Sequence, residues 1–125
     1  MERFLIVCGA GGAGCGARYL ISLWAAKRIG TAFPYGTLIV NVVGSFLIAL
    51  VLEVSVRKAN FPPNLRLALT TGFLGGMTTY SSFNYESTAL VTNGNAVRGL
   101  LNIGITLIGC LVAGYLGLVL ARRIS

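Results

Sequence analysis

The sequence contains no histidine and only three acidic side chains, against ten lysines and arginines, in 125 residues. Histidine is the side chain that enzymes most often use as a general base and proteins most often use as a metal ligand. Charged residues make up 10% of the chain, whereas soluble domains carry about 25%. Because hydrophobic residues reach 55%, we expect a protein embedded in lipid and not an enzyme.

Four long apolar stretches account for most of the chain. A run of about 18 or more apolar residues is typical of a transmembrane helix. The stretches are residues 4–26, 37–56, 67–90 and 99–121, and the connections between them are short. Helices are favoured over barrel strands because the runs are continuously apolar. The sequence therefore predicts an all-α membrane protein of the cell (inner) membrane, with one four-span domain over residues 1–125 and no nucleotide-binding domain.

The basic residues mostly flank the spans, where they contact lipid headgroups and set the topology. We therefore interpret the net charge of +7 as a membrane feature and expect the lipid bilayer, not nucleic acid, as the partner. With four spans, both termini lie on one side. Six flanking basic residues fall on that side and three on the other. So small a bias is compatible with insertion in both orientations.

The first span combines many glycines with a charge near its middle. Its glycines from Gly9 to Gly14 fit a dinucleotide-binding pattern, but no acidic residue follows at the required distance. Close helix packing, within the chain or between copies, is the better interpretation. Arg18 lies too far from the end of the span to reach the headgroups. Its expected role is either a structural anchor or a residue of a pathway.

Polar side chains recur every four residues in the second and fourth spans, so each row lies on one helix face. The rows are Thr37, Asn41 and Ser45, and Asn102, Thr106 and Cys110. Hydrogen bonds between helices and a polar pathway through the membrane both account for such rows.

The third span is unusual because three glycines and six serines and threonines lie between Thr70 and Phe83. This composition predicts a helix break inside the membrane, with an unbroken packed helix as the alternative. A break presents carbonyl groups suited to a cation and N–H groups suited to an anion. Tyr80 shares a helix face with Phe83, and aromatic ring edges can contact an anion. Glu86, farther along, is expected at a pore mouth or at the interface.

The segment from Thr70 to Phe83 resembles the signature of the Fluc (CrcB-type) fluoride channel family. Asn41, Gly44 and Ser45 resemble that family's second span, and Arg18 lies in a region resembling its first. The resemblance implies a passive channel specific for the fluoride ion, which lets the ion leave the cytoplasm and so limits its toxicity. It also implies an antiparallel, dual-topology homodimer with two pores.

By the same resemblance, a set of side chains would line the pore. They are Asn41, Tyr80, Ser82, Phe83, Thr106 and Cys110. The backbone carbonyl groups of Gly75 and Thr78 would hold a sodium ion (Na+) that is structural and not transported. The sequence departs from the family at Tyr80, where phenylalanine is usual, and at Cys110, where a hydroxyl is common.

Two other kinds of protein remain alternatives on the residues alone. A small proton-coupled multidrug exporter also has four spans. That mechanism needs an ionisable carboxylate within the first span, where this sequence has only Arg18. A non-transporting membrane assembly protein is the second alternative, and it would not need a broken third span.

Overall fold

The computed structural model describes all 125 residues and contains helices but no strands. In chain order the elements are α1 (Glu2–Arg28), α2 (Tyr35–Arg57), α3 (Pro63–Leu67), a π-helix (Ala68–Leu74), α4 (Gly75–Met77), α5 (Tyr80–Thr92) and α6 (Ala96–Ile124). Three of them, α1, α2 and α6, are long and apolar enough to cross a membrane. The predicted all-α membrane class is therefore confirmed.

Prolines and glycines mark the ends of the long helices. α1 ends at Arg28, and Gly30 follows with a φ of 122°, a left-handed angle that favours glycine. Gly94, with a φ of 85°, lies in the turn between α5 and α6. Pro34 immediately precedes α2, and Pro63 occupies the first position of α3, where its missing N–H costs no helical hydrogen bond.

The third apolar stretch is built from short pieces. Its first part runs through α3, the π-helix and α4 as far as Met77. Thr78 and Thr79 then have extended backbone, with ψ of 155° and 119°, and α5 begins at Tyr80. Gly75 keeps helical angles, with φ of −62° and ψ of −37°. The residues outside the helical conformation are therefore two of the threonines and none of the three glycines of this segment.

The glycines of the third stretch serve a different purpose, which is close contact with α1. A Cβ atom added at Gly76 would collide with the backbone of Gly11, and one added at Gly14 would collide with the backbone of Phe73. Only glycine lets the two backbones approach this closely. Part of the small-residue face of α1 is thus used within the chain. Gly12, in contrast, has nothing within 4 Å of such a Cβ.

Few side chains are buried, and the small core lies between α2 and the third stretch. Val40, Leu74 and Met77 form this core. Only 17 of the 125 residues are buried, and large apolar side chains such as Leu107 and Ile108 are exposed. Surfaces of this kind face lipid or another protein in a membrane. At the other end of α2, Glu53 forms ion pairs of 3.0 Å with Arg57 and with Arg122, which connects the ends of α2 and α6.

Candidate functional site

The side chain of Asn41 on α2 pairs with the extended backbone that precedes α5. Asn41 Nδ2 donates to the carbonyl oxygen of Thr79 at 2.9 Å, and the Thr79 N–H donates to Asn41 Oδ1 at 2.8 Å. In a continuous helix this N–H would donate to the carbonyl of Gly75. The amide of Asn41 therefore takes the place of a helical partner. One N–H of its Nδ2 remains for another acceptor, because the group has two.

The first turn of α5 presents a second set of donors. The Oγ1 of Thr79 caps the helix by accepting from the Ser82 N–H at 3.2 Å. The N–H groups of Tyr80 and Ser81 precede this capped position, and the first N–H groups of a helix have no partner within it. The helix dipole also makes this end favourable for negative charge. Donors and dipole together suit an anion.

Two aromatic rings stand beside this helix start. The ring centroids of Tyr80 and Phe83 lie 5.7 Å apart with an interplanar angle of 64°, an edge-to-face contact. Phe83 is half-buried, whereas Tyr80 is 79% exposed. Their ring edges carry positive potential, in contrast to their faces.

A cavity of about 410 Å³ lies between α2, α5 and α6. Its lining includes five of the six side chains expected along the pore, which are Asn41, Tyr80, Phe83, Thr106 and Cys110. Ser82 does not line the cavity, and its hydroxyl accepts from the Thr79 hydroxyl at 3.2 Å. No charged residue lines this cavity. An anion inside it would therefore meet hydrogen-bond donors without meeting a carboxylate.

Glu86 lies in a neighbouring cavity of about 380 Å³, between the α1–α2 connection and α5. Thr37 donates to Glu86 Oε1 at 2.8 Å, while Oε2 is buried and has no hydrogen-bond partner. Thr37 precedes Asn41 by one helical turn on α2. The two cavities therefore follow one another along the same polar row.

Arg18 contacts the end of α4. Its Nε donates to the carbonyl oxygen of Gly76 at 3.1 Å, and its Nη2 lies 3.7 Å from the Sγ of Cys15. A continuous helix would bring the Tyr80 N–H to the Gly76 carbonyl, but α5 starts anew at Tyr80. The guanidinium satisfies this carbonyl instead. The contact connects α1 to the end of α4.

A third group of polar side chains connects α5 to α6. Asn102 Nδ2 donates to Ser87 Oγ at 2.8 Å, and Thr106 Oγ1 donates to Asn102 Oδ1 at 3.3 Å. All three residues are buried. The sequence placed Asn102 in the polar row of the fourth span but gave it no role, and Ser87 was missed. In the sequence Ser87 stands between Glu86 and Thr88, and nothing in that segment identifies its partner on α6.

The sequence profile described as CrcB-like protein, Camphor Resistance (CrcB), matches residues 5–118. The chain belongs to the CrcB-like family. Three relatives of this family member carry the name fluoride-specific ion channel FluC. The relative from Sorangium cellulosum (strain So ce56) is 50% identical over 124 residues, 99% of this chain and 98% of its own length. The relative from Anaeromyxobacter sp. (strain K) is 49% identical over 125 residues, 100% of this chain and 99% of its own length.

A third relative, from Citrifermentans bemidjiense, is 42% identical over 124 residues, which is 99% of this chain and its own full length. These matches confirm the family that the third-span motif indicated. The relatives are named as ion channels and not as enzymes. With three helices apolar enough to cross a membrane, this CrcB-like chain is a multi-pass membrane protein.

Proposed function

We propose that this CrcB-like protein is a passive, fluoride-specific channel that exports fluoride from the cytoplasm through the inner membrane. The names of its relatives support fluoride as the transported ion. The observation that carries the proposal is the cavity that joins Asn41, the start of α5 and the two aromatic rings, with no charged residue in its lining.

The chemistry of fluoride fits these groups. Fluoride is small and strongly hydrated, so it crosses a membrane only where other donors replace its water. The free Nδ2 proton of Asn41 and the first N–H groups of α5 are such donors. The ring edges of Tyr80 and Phe83 add positive potential without adding a charge. Thr106 and Cys110 continue the polar row along α6.

Reconstitution in liposomes tests the proposed function. Vesicles loaded with potassium fluoride should lose fluoride down its gradient, measured with a fluoride electrode, while vesicles loaded with chloride should lose almost none. No proton gradient is imposed. Flux that appears only with a proton gradient would instead indicate a coupled exporter, and the absence of flux in any condition would favour an assembly protein.

The third stretch would form one membrane span with an interruption at Thr78 and Thr79. The extended backbone there and the two substitutes for helical partners, Asn41 and Arg18, support this part of the proposal. Four spans would then place both termini on one side. Arg18 would anchor the interruption. Glu86 would stand at the mouth of the pathway, where it accepts from Thr37, one turn before Asn41 on α2.

We propose further that two copies form an antiparallel, dual-topology homodimer with two pores. The near-even distribution of basic residues supports insertion in both orientations. Tyr80 borders the cavity and is nevertheless 79% exposed, so a single chain leaves this side of the cavity uncovered. A Cβ atom added at Gly12 would have nothing within 4 Å, so α1 also has room for a close helix contact there. Packing of a second copy would account for both open surfaces.

Sodium would be held by backbone carbonyl groups of Gly75 and Thr78 from both copies. The donor set fits a hard monovalent cation, because it consists of neutral oxygens and the chain has no cluster of acidic, cysteine or histidine ligands. The Gly75 carbonyl lacks its usual helical donor, the Thr79 N–H, which donates to Asn41. Such an ion would neutralise carbonyl dipoles between the copies and would not move through the pores.

Gly75→Val should weaken the dimer and with it the dependence of fluoride efflux on sodium. A Cβ atom at Gly75 would meet only the Thr70 carbonyl oxygen, at an ordinary 3.5 Å, so one chain accommodates it. Gel filtration in detergent should show a shift towards monomer with unchanged helical content by circular dichroism. Wild-type efflux should slow when a bulky organic cation replaces sodium on both sides. A stable Gly75→Val dimer whose efflux still needs sodium would remove the carbonyl group of Gly75 from the site.

A further inference from the structure

Thr106 is the only residue that both lines the 410 Å³ cavity and belongs to the buried group on α5 and α6. Its hydroxyl donates to Asn102 Oδ1, and the other end of this amide donates to Ser87 Oγ. Asn102 is 1% exposed and does not line the cavity. A hydrogen-bonded path from Asn102 to an ion in the cavity therefore runs through Thr106.

The bond made by Thr106 differs from that of other threonines in this chain. Four of them donate to the backbone carbonyl one turn earlier in their own helix, the arrangement typical of threonine in helices. They are Thr70, Thr78, Thr88 and Thr92. Thr106 donates instead to the side chain of the residue one turn earlier, Asn102. The amide thus keeps this hydroxyl away from the backbone.

The bond to Asn102 fixes the direction of the Thr106 hydroxyl proton. A hydroxyl has a single proton, so a Thr106 hydroxyl that donates to Asn102 presents only lone pairs to the cavity. A half-turn of the amide exchanges its oxygen and nitrogen. Ser87 would then donate to Oδ1, and Nδ2 would donate to Thr106 Oγ1. Both orientations contain two hydrogen bonds, but only the second frees the Thr106 proton for the cavity.

We propose that Asn102 is a positioning residue whose amide sets the direction of the Thr106 hydroxyl, and that an anion beside Thr106 selects the rotated amide. The proposal rests on the proposed function, because it requires an anion in the cavity. The rotation costs little, since the two hydrogen bonds are exchanged and not lost. The anion adds a charge-assisted bond from Thr106 in a buried environment, which is stronger than a neutral one.

This arrangement also favours fluoride over chloride. A larger and weaker hydrogen-bond acceptor gains less from a single hydroxyl proton, so it shifts the amide less. Without Asn102, Thr106 would return to the backbone carbonyl one turn earlier, as the other threonines do. Its proton would then be held by the helix whichever ion occupied the cavity.

A double-mutant cycle between Asn102 and Thr106 tests the proposal. Asn102→Leu, which is close in size, should lower fluoride efflux from liposomes about tenfold, the effect of one lost hydrogen bond. Thr106→Val should lower it similarly. The double variant should be no slower than Thr106→Val alone, because Asn102 acts only through the hydroxyl. The fluoride-to-chloride flux ratio should fall in both single variants.

The cycle separates positioning from packing. If Asn102→Leu merely loosened the contact between α5 and α6, it would slow efflux equally with threonine or valine at position 106, and multiplied losses would overturn the proposal. Should the leucine variant not assemble, Asn102→Met repeats the test with a side chain that adapts to irregular space. Fluoride efflux by the wild type, measured alongside, tests the proposed function itself. If the wild type conducts fluoride normally but the efflux losses of the two single variants multiply in the double variant, only the role of Asn102 is overturned.

Discussion

Asn41→Asp should nearly abolish fluoride efflux while the protein still assembles. The aspartate can accept from the Thr79 N–H, as Asn41 does, but it cannot donate to the Thr79 carbonyl or to an ion in the cavity. A negative charge would also stand in a cavity that otherwise contains none. Lost donation and added repulsion in a site of low dielectric should lower efflux at least about a hundredfold.

Asn84→Asp is the matched control for this variant. It makes the same chemical change on α5, at an exposed position that lines neither cavity. Efflux from liposomes should therefore fall only for Asn41→Asp, with both variants eluting like the wild type on gel filtration. Asn41→Asp should also unfold at a lower temperature. One oxygen of the new carboxylate would face the carbonyl oxygen of Thr79, where the Asn41 Nδ2 now donates. A folded Asn41→Asp protein with wild-type efflux would exclude Asn41 from the pathway.

The fold class was predictable because lipid requires every backbone group to be satisfied within the protein, so long apolar runs become helices. The positions of the special backbone were not predictable. Glycine provides both conformational freedom and close approach, and a sequence does not distinguish the two uses. Here Gly76 is helical and allows contact with Gly11, while Thr78 and Thr79 are extended.

The site residues divide in the same way. Five of the six pore residues that the resemblance indicated line the cavity, and they lie in the third-span motif or in the two polar rows. The resemblance did not predict the hydrogen-bond partners, because these bonds connect distant parts of the chain. Asn41 and Thr79 are 38 residues apart, and Asn102 and Ser87 are 15 apart. The sequence left two interpretations of Arg18 open for the same reason, because its partner, the Gly76 carbonyl, is 58 residues away.

The second large effect is expected at Phe83. Phe83→Ile keeps an apolar side chain of moderate size but removes the ring that packs against Tyr80 and lines the cavity. Phe83 is only half-buried, so its truncation should lower stability modestly. If the ring edge acts on the anion, fluoride efflux should fall at least about tenfold. This loss would be much larger than the modest loss of stability explains.

Tyr80→Phe isolates the hydroxyl of the other ring. The variant retains both rings and their edge-to-face contact, and it restores the aromatic residue that is usual in the resembling family. We expect a much smaller change in efflux than for Phe83→Ile, measured in the same liposomes with thermal unfolding followed in parallel. Loss of flux in a folded Tyr80→Phe protein would show that efflux requires the phenol hydroxyl. Equal losses of flux and stability in Phe83→Ile would reduce that ring to a packing role. The hypothesis that ring edges contact the anion therefore requires two results. Phe83→Ile must lower efflux much more than its loss of stability explains, and Tyr80→Phe must change efflux only slightly.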